Sequence, residues 1–365
     1  MSSRAKNIVI VGAGIVGCST AYYITRHPRY SQQHTSIIVL EASSVAGGAS
    51  GKAGGLVAKW AYPSELVKIS YTEHERLAKE HGGAQRWGWR YVECGQWVGK
   101  GKDLNEESDN LENGEATPME KPASNGQPDD FDWLYEGATK SYEPMAHSGE
   151  TAQLHPFYFT TSMLELAQER GAKLVFGKAT EILYSSSEPR TVTGVRYTDS
   201  SSTSQILPAS HIIVAAGPWT PSVVPGVPVS GTRAHSITIR PTRPVPAYAL
   251  FTEITLPRSL GLGSSASPEI YSRPNNEVYT CSPGDGEPLP ETTKDVKVNE
   301  QVCDTLFKQV ASLSPVLAEG EVTVKQACYL PNVNSGPRGC PIVGEMEDAK
   351  GLFLACGHTC WVSIC

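Results

Sequence analysis

Residues 7–17, Asn-Ile-Val-Ile-Val-Gly-Ala-Gly-Ile-Val-Gly, carry an apolar strand straight into a Gly-x-Gly-x-x-Gly turn near the N-terminus. A strand ending on such a turn hands over at once to a helix, and the unit it begins is a parallel strand–helix–strand. Gly12 permits the tight turn, Gly14 removes the Cβ that would hold an anion off the backbone, and Gly17 lets the helix settle on the sheet. Ala13, Ile15 and Val16 fill the places between them. The helix N-terminus faces the turn, where unpaired N–H groups and the positive dipole end favour an anion without a basic side chain.

Three spaced glycines alone can be only a turn, so the context decides. Ile15–Arg26 reads as a helix and residues 36–40, Ser-Ile-Ile-Val-Leu, as a second buried strand. Glu41 and Ala42 follow, about 24 residues past Gly17. A carboxylate there accepts hydrogen bonds from ribose hydroxyls and repels a 2′-phosphate, which disfavours NADP. The stretch therefore reads as a dinucleotide site with its pyrophosphate on Gly12, Gly14 and Gly17.

The chain of 365 residues is long enough for two domains with cores of their own. A formal net charge of −7 without a Lys/Arg block argues against nucleic acid and against a polybasic membrane anchor. The apolar run at residues 8–18 is too short and glycine-rich to span a bilayer, so no integral membrane association is expected. The expectation is a soluble cytoplasmic protein, with peripheral attachment to an endomembrane left open and no C-terminal Ser-Lys-Leu. Nine scattered cysteines form no disulfide framework. Cys356, His358, Cys360 and Cys365 lack a Cys-x-x-Cys pair, and they read as small thiols rather than a metal centre.

Residues 47–56 are too rich in glycine for a regular element and read as a backbone-rich loop lying against a ligand. Helices are expected at 63–80, 160–170 and 302–313, and strands at 91–98 and 173–176. A hairpin-like pair is expected at 181–184 and 192–197. Residues 99–130 are polar with almost no apolar side chains, so they read as a disordered insert and a docking segment for a protein partner. The run at 211–219, His-Ile-Ile-Val-Ala-Ala-Gly-Pro-Trp, is an apolar strand ending on small residues that allow close backbone approach. Strand-like stretches at 236–240, 269–273 and 277–281 suggest an antiparallel sheet.

The order of these pieces resembles the flavin-dependent amino-acid and amine oxidase superfamily that includes glycine oxidase, D-amino-acid oxidase and sarcosine oxidase, and within it the fungal oxidoreductases. The resemblance rests on the turn Gly12-x-Gly14-x-x-Gly17 with Glu41, and on the loop Gly48-Ala49-Ser50-Gly51-Lys52-Ala53-Gly54-Gly55. It also rests on Val214-Ala215-Ala216-Gly217-Pro218-Trp219, and on Pro341-Ile342-Val343-Gly344 ahead of Gly357-His358. It implies an α/β fold: a discontinuous Rossmann-like FAD-binding domain at 1–70, 150–230 and 336–365, and a second α+β domain on a mainly antiparallel sheet at 71–98, 131–149 and 231–335.

The resemblance implies FAD as the cofactor. Ser50, Gly51, Lys52, Ala53, Gly54, Gly55 and Leu56 would run beside the isoalloxazine. Ala179 would touch adenine through its backbone, and Ala215, Ala216 and Gly217, followed by Trp219, would cross near the ribityl chain. Gly357 and His358 would lie beside the pyrimidine. It also implies hydride transfer from the carbon of a C–N bond to the flavin, with a small amine or amino-acid-like substrate.

Several positions depart from the family pattern. Leu330 stands where an arginine clamps the substrate carboxylate, with Arg273, Arg240 and Arg338 as substitutes. Cys328 falls where some members bind flavin covalently, and Tyr279 aligns loosely with positions facing it. The chain stops four residues after Trp361, where the family continues into a helix, so a truncated end is expected. These departures keep a second reading in view, a non-catalytic flavoprotein module. A nicotinamide-linked dehydrogenase leaves the glycine loop after Glu41 unexplained.

Overall fold

The computed structural model describes residues 6–103, 126–186, 188–335 and 340–360. The first strand, β1 (Lys6–Val11), lies at the centre of a six-stranded sheet in the order Ile342–Glu345, Leu352–Cys356, His211–Val214, β1, β2 (Thr35–Glu41), Lys173–Phe176. All pairs are parallel except the edge pair Ile342–Glu345 with Leu352–Cys356. Parallel strands covered on both faces must be apolar on both, and β1 is. Ile10 enters one core with Ile37 and Val39, whereas Val9 and Val11 enter another with Ile212 and Val214.

Helices build the first core. The helix α1 (Ile15–Arg26) contributes Ile15, Cys18 and Tyr22, and the helix Pro156–Gln168 contributes Phe159, Met163 and Leu166. That second helix begins four residues earlier than the periodicity suggests, because Pro156 occupies its first turn, where a missing N–H costs nothing. The helix Ser64–His81 runs through the expected domain boundary at residue 70, and its Tyr71 and Leu77 pack with Tyr22 in this same core. The opposite face is covered by the antiparallel sheet of Lys178–Tyr184, Val192–Thr198 and Ser204–Pro208.

A second, eight-stranded sheet carries residues from 93 to 333 in the order Glu321–Val333, Val229–Arg240, Glu277–Cys281, Glu269–Arg273, Tyr248–Thr255, Glu93–Lys100, Thr139–Pro144, with Ser265–Ala266 beside the fifth. It is antiparallel apart from one parallel pair, Tyr248–Thr255 with Glu93–Lys100. The helix Glu300–Ala311 covers one face through Cys303, Leu306 and Val310 over Ile237 and Ile239. The other face, carrying Tyr271 and Tyr279, meets the loop at residues 53–55.

The ends of the expected disordered insert are ordered. Gly99 and Lys100 complete a strand, the Lys102 N–H donates to Ser312 O at 2.7 Å, and Asp130 Oδ1 accepts from Tyr248 Oη at 2.8 Å. Pairing with the sheet satisfies these polar groups, which composition alone does not foresee. Residues 104–125 lie outside the described residues. Among the described residues, no helix is long and apolar enough to cross a membrane.

Candidate functional site

Sheet register places the site. Val11 pairs with Leu40 on one side and Val214 on the other, and Val214 pairs with Leu354. The next residues of these four neighbouring strands, Gly12, Glu41, Ala215 and Ala355, therefore emerge side by side at the carboxyl ends, where open α/β sheets bind ligands. All four line one cleft.

Two glycines are needed where the backbone crosses itself. Gly12 has φ +105°, and a Cβ there would stand 2.5 Å from Ala215 O. At Gly17 a Cβ would stand 2.0 Å from Gly12 O. The first N–H of α1, at Ile15, donates to Ser50 Oγ at 2.9 Å, so the loop after β2 places a hydroxyl on the helix N-terminus. The next two N–H groups of this first turn, at Val16 and Gly17, have no partner inside the helix, and the ladder begins with Cys18 N donating to Gly14 O at 2.9 Å. Glu41 is buried, and its Oε2 accepts from Ala13 N at 2.8 Å while Oε1 accepts from Ser43 N at 2.9 Å. These bonds fix its carboxylate on the cleft floor.

Gly14, Val16, Ala42, Ser50, Ala179, Ala216, Gly217, Trp219 and His358 complete the cleft wall among the residues singled out from sequence. Ala13, Ile15 and Gly17 form the turn and helix start behind it. Gly357 has φ +79°, and a Cβ there would meet Val333 Cγ2 at 2.2 Å, so glycine is required to bring His358 in. Burial pushes the His358 imidazole down to about 4, which keeps it neutral at pH 7.

Where the glycine content predicts an irregular loop, a short helix, Ala49–Lys52, and the start of a strand, Leu56–Ala58, form, because the alanines, serine and lysine between the glycines tolerate one helical turn. Gly51, Lys52, Ala53, Gly54, Gly55 and Leu56 lead from the cleft to the large sheet. Lys52 Nζ donates to Ala327 O at 2.9 Å, and Gln326 Nε2 donates to Lys52 O at 3.1 Å. Burial lowers the Lys52 ammonium from its ordinary range, with Cys328 as an opposing neighbour. Burial pushes the Cys328 thiol up to about 11, with Lys52 pulling the other way. Gly54 is pressed on Tyr271, since a Cβ there would stand 2.1 Å from its ring. Leu56 packs with Tyr271 and Tyr279.

Arg273 is buried beside this loop. Its Nη2 donates to Ala53 O at 2.6 Å, and its guanidinium stands 4.5 Å from the Tyr279 ring centroid. Burial lowers its pKa, with Tyr279 opposing. Of the other candidate clamps, Arg240 is a surface residue paired to Glu321 at 2.8 Å, which removes it from the site, and Arg338 lies outside the described residues. Leu330 sits on Glu321–Val333 opposite Thr232.

Sequence reading missed a strap. Glu291, Thr292 and Thr293 close the cleft from the large-sheet side. The strap is clasped by Lys178 Nζ to Glu291 Oε2 at 2.8 Å, Trp219 Nε1 to Pro290 O at 2.7 Å and Tyr329 Oη to Pro288 O at 2.6 Å. Thr293 Oγ1 also bonds Ser43 Oγ. The one local signal is the Thr-x-x-Asp capping box of Thr292 and Asp295. Among the described residues, no three His, Cys, Asp or Glu side chains gather as a metal site.

The cleft offers a helix N-terminus for a pyrophosphate, a fixed carboxylate for ribose hydroxyls, and close backbone crossings at Gly12 and Ala215. These donors and shapes fit a dinucleotide such as FAD.

The fold is shared with glycine oxidase from Geobacillus kaustophilus, at a TM-score of 0.70 and 17% identity over 99% of this chain and 92% of that one. Iminodiacetate oxidase from Chelativorans sp. BNC1 superposes with a TM-score of 0.69 at 18% identity, over 98% and 91% of the two chains. Among curated relatives, the oxidoreductase-named protein TDA3 of Saccharomyces cerevisiae is 30% identical over 99% of this chain and 89% of its own length. The oxidoreductase-named protein C1F5.03c of Schizosaccharomyces pombe is 32% identical over 98% and 90%. Residues 7–362 match the DAO family of FAD dependent oxidoreductases, and the chain belongs to that family.

Proposed function

We propose that this protein oxidises the C–N bond of a small amine. The observation that carries the reading is the alignment of Gly12, Glu41, Ala215 and His358 on one cleft, with the loop at 50–55 running from that cleft to the aromatic face of the large sheet. When bound, FAD supplies the hydride acceptor, so the chain itself needs no nucleophile. The N-terminus of α1 and Ser50 would hold the pyrophosphate, and Glu41 the adenosine ribose. Ala179 would meet adenine and Ala215–Gly217 the ribityl chain, while His358 offers a neutral imidazole beside the ring. The residues at 51–56 would position the ring against Tyr271 and Tyr279.

Purified protein tests this directly. A yellow chromophore that bleaches on anaerobic addition of an amine supports the reading. A chain that takes up no flavin refutes it. Bound flavin that no amine bleaches instead supports a non-catalytic flavoprotein module, which Leu330 at the clamp position favours. Acid precipitation tests Cys328: a covalent bond keeps the colour with the pellet, and its release to the supernatant excludes one.

A further inference from the structure

An interior strand of the large sheet carries an acid among rings at its start. Glu269 opens the strand Glu269–Arg273 and is only partly buried, whereas the four residues after it are buried. Its Oε2 accepts from Tyr271 Oη and, at 3.7 Å, from Cys281 Sγ. That leaves Oε1 without a hydrogen-bond partner among the described residues, and no Lys, Arg or His of those residues pairs with this carboxylate. Two neutral donors hold this carboxylate in place without pairing it to a cation.

Aromatic rings flank it. Phe251 stands edge-on to Tyr271 with centroids 6.3 Å apart, Trp60 stands edge-on to Phe251 at 6.0 Å, and Tyr271 stacks on Tyr279 at 5.9 Å. Ring faces beside an anion are the surroundings in which a substituted ammonium ion is stabilised.

Two connections tie this acid to the cofactor cleft. Tyr271, two residues along the strand, is the ring pressed on Gly54 of the loop. On the other side stands Cys360, two residues beyond His358. Burial pushes its thiol up, bonds to Thr359 and Tyr62 pull it down, and the Glu269 charge raises it by less than these. Of the arginines nearby, Arg233 is paired with Asp285 at 2.8 Å, whereas Arg273, on Ala53 O, and Arg90, on Ser272 O at 2.7 Å, each keep a buried Nε with no partner.

We infer that Glu269, with Tyr271 and Phe251, forms a recognition site for a cationic ammonium group, so that the amine oxidised is one carrying a second, positively charged nitrogen. The inference deepens the proposed amine-oxidising function and rests on it for the word substrate. The site itself is defined by Glu269 and the rings. Its charge selects for diamines, whose remote ammonium it pairs while the reacting nitrogen is neutral, over monoamines and over substrates that bring a carboxylate to it.

The test uses the full chain, with and without added FAD, and tetramethylammonium chloride as probe, a cation with no nitrogen lone pair to support oxidation. Isothermal titration calorimetry reads binding, and sodium acetate and sodium chloride serve as anion and salt controls. The expected result is saturable tetramethylammonium binding that weakens roughly tenfold in Glu269→Gln, and by less in Tyr271→Phe, which keeps the ring but loses one donor to the carboxylate. Equal binding by parent and Glu269→Gln, binding of acetate in place of the cation, or no saturable binding would each overturn the inference. Should Glu269→Gln fail to fold, Glu269→Ala or charge reversal in Glu269→Lys carries the same comparison. A separate FAD titration of the parent shows whether the flavin reading itself holds, so the two failures are told apart.

Discussion

Ser50 Oγ accepts the N–H of Ile15 at 2.9 Å, joining the loop after β2 to the first turn of α1 across 35 residues. Gly14 has no side chain to cap this helix, and Ser50 does so from outside it. A helix end satisfied by a distant hydroxyl loses both the cap and the loop anchor when that hydroxyl goes. Ser50→Ala is expected to lower stability by ~1 kcal/mol, the usual cost of a lost cap. Urea unfolding of the flavin-free chain measures it, and a midpoint equal to the parent's would show that the bond contributes nothing.

The strap at 288–293 closes the cleft through neutral and charged clasps of unequal value. The exposed Lys178–Glu291 pair is worth little in water, whereas Trp219 Nε1 to Pro290 O is half-buried. Trp219→Phe removes one hydrogen bond while keeping an aromatic wall. Faster release of bound flavin, by roughly fivefold for a loss of ~1 kcal/mol, is expected, with little change in Glu291→Gln. Stopped-flow recovery of flavin fluorescence on dilution reads this, and identical release from all three proteins would mean the strap does not retain the cofactor.

How far the chain can be read without its structure follows from the range of the contacts. Gly12, Gly14, Gly17 and Glu41 are legible because a tight strand–helix turn around an anion sets residue types at fixed short spacings. The run from Ala215 to Gly217 is legible as a close approach, but its partner, Gly12, is known only from the strand register. The strap is not legible, since prolines, glycines and threonines read as any surface loop until Trp219 and Tyr329 are seen to hold it. Glu269 is hidden for a related reason: its neighbours Tyr271, Cys281 and Phe251 come from three strands.

Arg273 and Ala53 are 220 residues apart in sequence and bonded at 2.6 Å. A guanidinium buried without a carboxylate partner is costly, so its bonds to the loop carbonyls and its place over Tyr279 must offset that cost. Arg273→Met keeps the apolar stem and leaves Ala53 O unpaired. A loss of ~1–3 kcal/mol is expected, that of a buried acceptor left without its donor. Arg273→Lys should recover part of it, because the ammonium can reach one carbonyl but lacks the fork. If Met and Lys variants unfold alike and at the parent's midpoint, Arg273 does not hold the loop.

His358 and His155 are both driven by burial to about 4, His155 also by the nearby Arg273 charge. A histidine ordinarily titrates near 6.5, so between about pH 6.5 and 4 the unfolded chain binds protons that the folded chain refuses. The native state is thus at full stability above pH 6.5, and this contribution is lost as pH falls toward 4. A tenfold difference in proton affinity between the folded and unfolded chains is worth about 1.4 kcal/mol, and the two groups together place a drop of a few kcal/mol between pH 7 and pH 5. His358→Asn keeps a neutral polar side chain at the turn and removes one of the two titrations. Guanidinium unfolding across this range should therefore show a steep decline for the parent and a shallower one for His358→Asn. Parallel curves for the two would mean that His358 is protonated in the native state as readily as in the unfolded one, and that it does not stand neutral beside the cleft.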